Sequence, residues 1–393
     1  MEREQSMHSA IKLVRITTVP ISLKVLLRQQ LRFMSNYFNV LAVSSGGAEL
    51  NEVAEQEGVR TATVEMTRAI TPVQDLQSLW QLYRLLKKEK PSIVHTHTPK
   101  AGLIGMMAAK MAGVPIRLHT VAGLPLMEST GSKRSILEKV EQLTYACATK
   151  VYPNTKNLAQ FILKHKFCKA EKIKVLGNGS SNGIDTSFFQ PNSELEAKAT
   201  ELKKQYGIAD DEFVFVFIGR LVKDKGTEEL VAAFVDLKNE FKKIKLLLVG
   251  PYEPHLDPLS KEIEAIINSD KDIICAGFQR DVRPFLAISH ALTFPSYREG
   301  FPNVPMQAGC FHLPSIVTNI NGCNEIIEHE KNGLIISPKS VNDLRKAMAL
   351  LLQDKQLYEK MKLNARSMIV DRYDQQHFWQ LLLKEYQEQL KEH

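Results

Sequence analysis

The strongest constraint on this chain is a pattern that occurs twice, in which short apolar runs alternate with segments of helical periodicity. In the first half, residues 11–17, 37–43, 92–96 and 115–119 read as strands, and residues 76–88 and 103–111 as helices. In the second half, residues 213–218, 245–249, 272–275, 291–294 and 315–318 read as strands. Residues 194–206, 228–241 and 304–311 read as the helices around them. Strands that alternate with helices pair in parallel, because each crossover must carry the chain back to the same end of the sheet. The expected fold class is therefore α/β, with two Rossmann-like domains. At 393 residues the chain exceeds what one core usually supports. The cluster Asn178-Gly179-Ser180-Ser181-Asn182-Gly183, followed by Phe188-Phe189-Gln190-Pro191, marks the exit from the first domain. The domains are thus expected at 1–190 and 191–373. A last helix, within residues 374–393, carries Phe378, Trp379, Leu382, Leu383 and Tyr386 at helical spacing, so one face must be covered.

Bulk properties exclude several classes. Hydrophobic content of 44% and charge of 24% suit a folded globular protein. The N-terminal MEREQSMHSAIKL lacks the apolar core of a signal peptide, and no run of about 18 apolar residues occurs, so neither secretion by that route nor a membrane span is expected. Five cysteines without C-x-x-C spacing point to a reducing cytosol rather than a disulfide framework. Residues 1–190 hold 25 Lys and Arg against 14 Asp and Glu, and the remainder 26 against 30, so the first half is +11 and the second −4. A basic first half suggests an anionic surface or acceptor. The alternative is a solvated surface without a partner.

The chemistry concentrates in Tyr297-Arg298-Glu299-Gly300-Phe301-Pro302-Asn303-Val304, with Gln307 eight positions after Glu299. A helix starting near Val304 would present unpaired N–H groups and partial positive charge to an anion. Gly219-Arg220 follows the apolar run 213–218, and Lys225 lies five residues beyond Arg220. Two cations after a buried strand complete a diphosphate clamp, at the strand ends where ligands of open parallel sheets bind.

Gly219-Arg220-x(4)-Lys225-Gly226, with Glu299-x(7)-Gln307, resembles the family 4 retaining glycosyltransferases of the GT-B fold. The resemblance covers nearly the whole chain and is greatest to bacterial enzymes that add a sugar, often an N-acetylhexosamine, to an undecaprenyl-diphosphate-linked acceptor. It implies two Rossmann-like domains facing across a cleft, with the final helix crossing back onto the first. It assigns Gly219, Arg220 and Lys225 to the diphosphate of a nucleotide-sugar donor, most commonly a uridine diphosphate sugar. Glu299 and the amides of Phe301 to Val304 then serve the sugar and its phosphate and Gln307 the ribose, with Gly300, Phe301, Pro302, Asn303 and Val304 all assigned to donor binding. Gln307 stands where the family usually has a second glutamate; an amide still donates and accepts, but a charge-assisted bond is lost. Phe278, after the strand at 272–275, borders the base, and His119 contacts the sugar near the reacting carbon. The catalytic set is His119, Glu299, Arg220 and Lys225. No metal or other cofactor is expected, since Arg220 and Lys225 already neutralise the leaving group. The acceptor is a polyprenyl-diphosphate-linked saccharide, and no nucleic-acid partner is expected. The location is cytoplasmic, peripheral on the inner face of the cytoplasmic membrane.

Other features need a reading of their own. His95 and His97 at a strand end are taken to lie on opposite faces, which disfavours a shared metal, and to serve a structural or acceptor-side role. Asp270-Lys271-Asp272 matches a metal-binding D-x-D pattern but sits in a polar helix-to-strand loop, where chance is the better explanation. Residues 23–34 read as one helix with Leu23, Leu26, Leu27, Leu31 and Met34 on one side and a basic stripe of Lys24, Arg28 and Arg32, suited to anionic lipid or an acceptor diphosphate. An ordinary helix with one buried face is the competing reading. Lys133 and Arg134 add a second basic surface. Two other functions share the architecture: a sugar-nucleotide 2-epimerase and an inactive GT-B partner subunit.

Overall fold

The computed structural model describes residues 11–393 apart from Pro254 and Leu256. The chain divides into two compact units, one running to Gly183 and taking in Gln375–His393, the other Ile184–Asp374.

In the first unit, β1 (Lys12–Ile16), β2 (Asn39–Ser44), β3 (Arg60–Thr63), β4 (Ile93–Thr96), β5 (Ile116–Val121) and β6 (Lys150–Pro153) form a parallel sheet in the order β3-β2-β1-β4-β5-β6. The helices between them are α1 (Pro20–Leu26), α2 (Gln30–Ser35), α3 (Ala48–Glu57), α4 (Pro72–Glu89), α5 (Pro99–Ala112) and α6 (Gly131–Cys147), with α7 (Lys156–Lys164) after β6.

The second unit begins with α8 (Ser193–Tyr206). Its strands are β7 (Phe213–Ile218), β8 (Ile244–Val249), β9 (Ile273–Gly277), β10 (Ala291–Phe294), β11 (Ser315–Thr318) and β12 (Gly333–Ile336), in the order β12-β11-β10-β7-β8-β9. Its remaining helices are α9 (Thr227–Glu240), α10 (Lys261–Ser269), α11 (Arg283–Ala287), α12 (Asn303–Cys310), α13 (Cys323–Ile326), α14 (Val341–Gln353) and α15 (Lys355–Tyr373). The chain then returns to the first unit as α16 (Gln375–Glu392).

Each sheet is covered on both faces, as all-parallel sheets require. In the first unit Val14 and Ile16 face a core built with Leu82 and Leu86 of α4, Ile104 of α5 and Tyr145 of α6. Leu13, their neighbour in β1, points the other way, to Leu23, Leu31 and Met34 and to Phe378, Leu382 and Tyr386 of α16. The period of two in β1 thereby decides which helices lie on which side. The second unit repeats the scheme, with Val214 and Val216 facing α12 and α15 while Phe215 and Phe217 face α9 and α14.

Several expectations are corrected. Residues 23–34 are not one helix: the chain breaks after Leu26, with Gln29 at φ 62°, and restarts at Gln30. Glu57 causes the restart, because its carboxylate accepts from the amides of Gln29 (2.7 Å) and Arg32 (3.0 Å). The three cations therefore do not sit on one continuous helix, although Arg28 and Arg32 line one surface depression. Lys24 is ion-paired with Glu52, Arg28 lies in the break, and Arg32 donates to the carbonyl of Gln56. The apolar side of the segment is core, with Leu23, Leu27, Leu31 and Met34 all at most 1% exposed and Leu26 partly buried against them. The unit boundary falls at Gly183, before residue 190, because Ile184 pairs with Asp374 and Arg366 holds the carbonyls of Thr186 and Phe189. Strands β3, β6 and β12 were not read from the sequence; β3 is the edge strand Arg-Thr-Ala-Thr, with no buried residue.

Candidate active site

The second unit has one point where the strand order reverses: the chain leaves β7 toward β8 and β9, then crosses to build β10, β11 and β12 on the other side. Ligands of open α/β sheets bind at the carboxyl ends of strands flanking such a reversal. The loop Gly219–Lys225 leaves β7 there, and the segment from Tyr297 to Asn303 leaves β10.

Two glycines let the backbones approach at this end. A Cβ on Gly250 would lie 1.8 Å from the carbonyl oxygen of Gly219, and one on Gly226, at φ 71°, would lie 2.2 Å from that of Pro295. A short 3-10 turn, Lys223–Lys225, then presents Lys225, whose Nζ donates to Glu299 Oε1 at 2.6 Å. Both side chains are 16% exposed, so the pair is shielded without being sealed from a ligand. Arg220 is half-buried and donates to Glu253 at 2.9 Å.

Helix α12 begins at Asn303, one residue before the expected start, with Pro302 as its cap and no side-chain oxygen on its first amides. Its start is braced from α13's side of the sheet. Gly322, at φ 78°, has no room for a Cβ, which would fall 2.4 Å from the carbonyl oxygen of Gly300. Asn321 Nδ2 donates to the same carbonyl at 2.7 Å. Behind the turn, Phe301 packs edge-on against Tyr373 at 5.4 Å. Gln307 lies half-buried one turn into α12, and Phe278 stands 69% exposed just beyond β9. The candidate residues of the second unit thus gather at the carboxyl ends of β7, β9 and β10.

Sequence reasoning missed several supports. Asp224 accepts from Arg298 (Nη2, 2.9 Å) and through its carbonyl from the amide of Tyr297 (2.9 Å), joining the two loops. Tyr297 donates its hydroxyl to Glu229, and burial first, then that bond, holds its pKa above the ordinary phenol value. Cys323, fully buried, is held well above the usual thiol range by burial and secondarily by Glu299. Only Asn321-Gly322 carried a readable cue, a turn dipeptide.

The histidines all lie in the first unit. His119 is not a strand end, since β5 continues to Val121. It is 2% exposed, bonded through Nδ1 to Thr96 Oγ1 at 2.8 Å, and burial pushes its pKa down to about 4, partly opposed by the backbone of Thr96. Its ring fills the space over Gly102, where a Cβ would meet Cε1 at 2.4 Å. His95 and His97 are on the same face, with ring centroids 4.3 Å apart, because residues two apart on a strand point the same way. His97 Nε2 accepts from the fully buried Arg15, and His95 bridges Tyr386 and Thr120. Burial first, and Arg15 among the lesser causes, holds both far below the ordinary imidazole pKa. Among the described residues no group of three or more His, Cys, Asp or Glu could hold a metal ion. Asp270 and Asp272 are engaged by Lys238 (2.6 Å each) and Asp272 also by Lys245 (2.7 Å). On α6, Arg134 pairs with Glu138 at 2.9 Å and Lys133 is exposed.

Residues 198–368 match the model of glycosyl transferases group 1, and residues 34–179 that of the glycosyl transferase 4-like domain. The chain is 33% identical over 387 residues to the capsular polysaccharide biosynthesis glycosyltransferase CapM of Staphylococcus aureus, covering 97% of this chain and 98% of the relative. It is 29% identical over 381 residues to the UDP-Gal:alpha-D-GlcNAc-diphosphoundecaprenol alpha-1,3-galactosyltransferase of Escherichia coli, covering 94% and 95%. Among solved structures, Anabaena HepE in complex with UDP superposes with a TM-score of 0.80 at 17% identity, over 96% of this chain and 99% of the other. With both sheets built as the fold requires and a relative matched from end to end, the chain belongs to the family 4 glycosyltransferases of the GT-B fold.

Proposed function

We propose that this glycosyltransferase moves a hexose or N-acetylhexosamine from a uridine diphosphate donor to a polyprenyl-diphosphate-linked saccharide, with retention, in bacterial surface glycan synthesis. The observation that carries the reading is the Lys225–Glu299 pair beside the α12 start at the strand reversal. A cation and a row of amides there suit a diphosphate, and a carboxylate suits sugar hydroxyls. The name of the Escherichia coli relative supports the donor and acceptor class.

In this reading the bond between the anomeric carbon and the diphosphate oxygen breaks as the acceptor hydroxyl bonds to the same face of that carbon. UDP departs and takes up the acceptor's proton on a phosphate oxygen. Arg220, Lys225 and the amides at the start of α12 stabilise the charge growing on the leaving group, which is where preorganised donors act most strongly. The reading takes no metal. Phe278 borders the base, Gln307 the ribose, and neutral His119 is assigned to the sugar near the reacting carbon, reached only if its cover over Gly102 opens. Lys133 and Arg134 are assigned to the acceptor or the anionic inner surface of the cytoplasmic membrane. No helix among the described residues is long and apolar enough to cross a membrane.

Membership of a glycosyltransferase family turns the reading away from the epimerase. A panel of UDP-sugars with a polyprenyl-diphosphate-linked acceptor tests it. Product is expected with wild type and none with Glu299→Ala at retained fold; wild-type turnover in that variant refutes the role of Glu299, and no transfer to any acceptor favours an inactive subunit.

A further inference from the structure

Helix α4 has one face in the core, through Leu82 and Leu86, and another that is apolar and open. Val73, Leu76 and Trp80, spaced for one side of the helix, are 74%, 67% and 49% exposed, and Ile70 just before it is 68% exposed. An apolar patch of this kind, contributing nothing to the core, calls for an occupant.

The charge around it says which. From Arg68 to Lys88 the only acidic residue is Asp75, whose carboxylate is taken by Lys100 at 2.6 Å and by the Thr71 hydroxyl at 3.0 Å. Arg68, Arg84, Lys87 and Lys88 are exposed. Arg84 sits over the Trp80 ring, 5.3 Å from its centroid, and Tyr83 stacks on the same ring at 5.1 Å, so the indole is held in place at the border between the apolar stripe and the cations. Tryptophan at such a border, with leucine-like side chains on one side and cations on the other, matches the layered chemistry of an anionic bilayer surface.

The stripe is also held in position. Lys100, in the first turn of α5, donates to the carbonyl of Ala69 as well as to Asp75, tying the start of α4 to the start of α5. In a parallel sheet both starts lie at the carboxyl ends of the strands. The order reversal of the first sheet falls there too, between β1 and β4, where the hydroxyls of Thr18 and Thr98 meet at 2.7 Å.

We propose that Ile70, Val73, Leu76 and Trp80 are the surface by which the first unit docks on an anionic phospholipid bilayer, with Arg68, Arg84, Lys87 and Lys88 meeting the headgroups. It stands beside the acceptor or membrane role that the sequence assigns to Lys24, Arg28 and Arg32, and does not depend on it. It rests on the reading of a lipid-linked acceptor, but its test does not use turnover.

The full chain is sedimented with phosphatidylglycerol-containing vesicles. Replacing all four apolar residues with serine should weaken binding at least about tenfold. Arg84→Gln, Lys87→Gln and Lys88→Gln together should weaken it roughly fivefold per cation at low salt. Brominated lipid should quench Trp80 in a Trp379→Phe background. Vesicle binding unchanged in the serine variant, or Trp80 unquenched, overturns the proposal; so does a wild-type dimer that the serine variant converts to monomer without loss of vesicle binding, which would make the occupant a second copy. UDP binding retained in the variants shows that they fold. Absence of UDP binding in wild type would sink the donor-site reading and leave this surface standing.

Discussion

Removing either member of the Lys225–Glu299 pair should shift UDP affinity in opposite directions. At 2.6 Å, in a medium of effective dielectric about 20, the two charges attract by about 6 kcal/mol before desolvation is subtracted. With both side chains only 16% exposed, a net value of about 1–3 kcal/mol remains. Lys225→Ala deletes a cation from the diphosphate and leaves Glu299 as an uncompensated anion beside it. The combined loss is about 2–4 kcal/mol, or roughly 30-fold to 1000-fold in Kd. Glu299→Ala instead frees Lys225 for the phosphate, so UDP should bind as well as to wild type or up to roughly tenfold tighter, while sugar transfer is lost. Calorimetric titration of each variant with UDP, beside a thermal melt to establish folding, measures both. The reasoning fails if Lys225→Ala binds UDP like wild type, or if both variants weaken binding to the same extent.

Other outcomes follow from the same structure. Gly102→Ala drives a Cβ into His119 and should destabilise the first unit by about 1–3 kcal/mol; adding His119→Ala should recover most of that in chemical denaturation, whereas additive losses would show that the two do not meet. His119, depressed to about 4 from 6.5, contributes stability that is complete above about pH 6.5 and is lost as pH falls toward 4, because the unfolded chain takes up the proton first. The loss is about 2 kcal/mol by about pH 5, and His95 and His97, shifted the same way, should add to it; a melting temperature flat from pH 7 to about pH 5 counts against this burial. Gln307→Glu should lower the UDP-sugar KM by about twofold to tenfold by restoring a charged acceptor, and an unchanged KM removes Gln307 from the ribose.

Much of this architecture was legible before folding. The continuous apolar run of residues 213–218 and the helical spacing in residues 228–241 are local signals, and both elements stand within a residue of where those signals put them. Gly219-Arg220 and Glu299-Gly300 were readable as motif residues following apolar runs, whereas the close backbone approaches at Gly226 and Gly250 emerge only in the fold. The break at Gln29 was not, since its cause is a carboxylate 28 residues away. Nor was the burial of His119, which depends on α5 passing over it.

The amino-acid order alone thus determined two parallel α/β sheets, the strand ends that carry the chemistry, and which residue types stand there. Tertiary structure decided which charges meet: Lys225 and Glu299, 74 positions apart, become one pair only because the chain reverses between β7 and β10. It also decided that Leu23, Leu27 and Leu31 are core while Val73, Leu76 and Trp80 are surface. Periodicity states that a helix has an apolar side; whether a neighbour covers that side is settled by contacts distant in sequence.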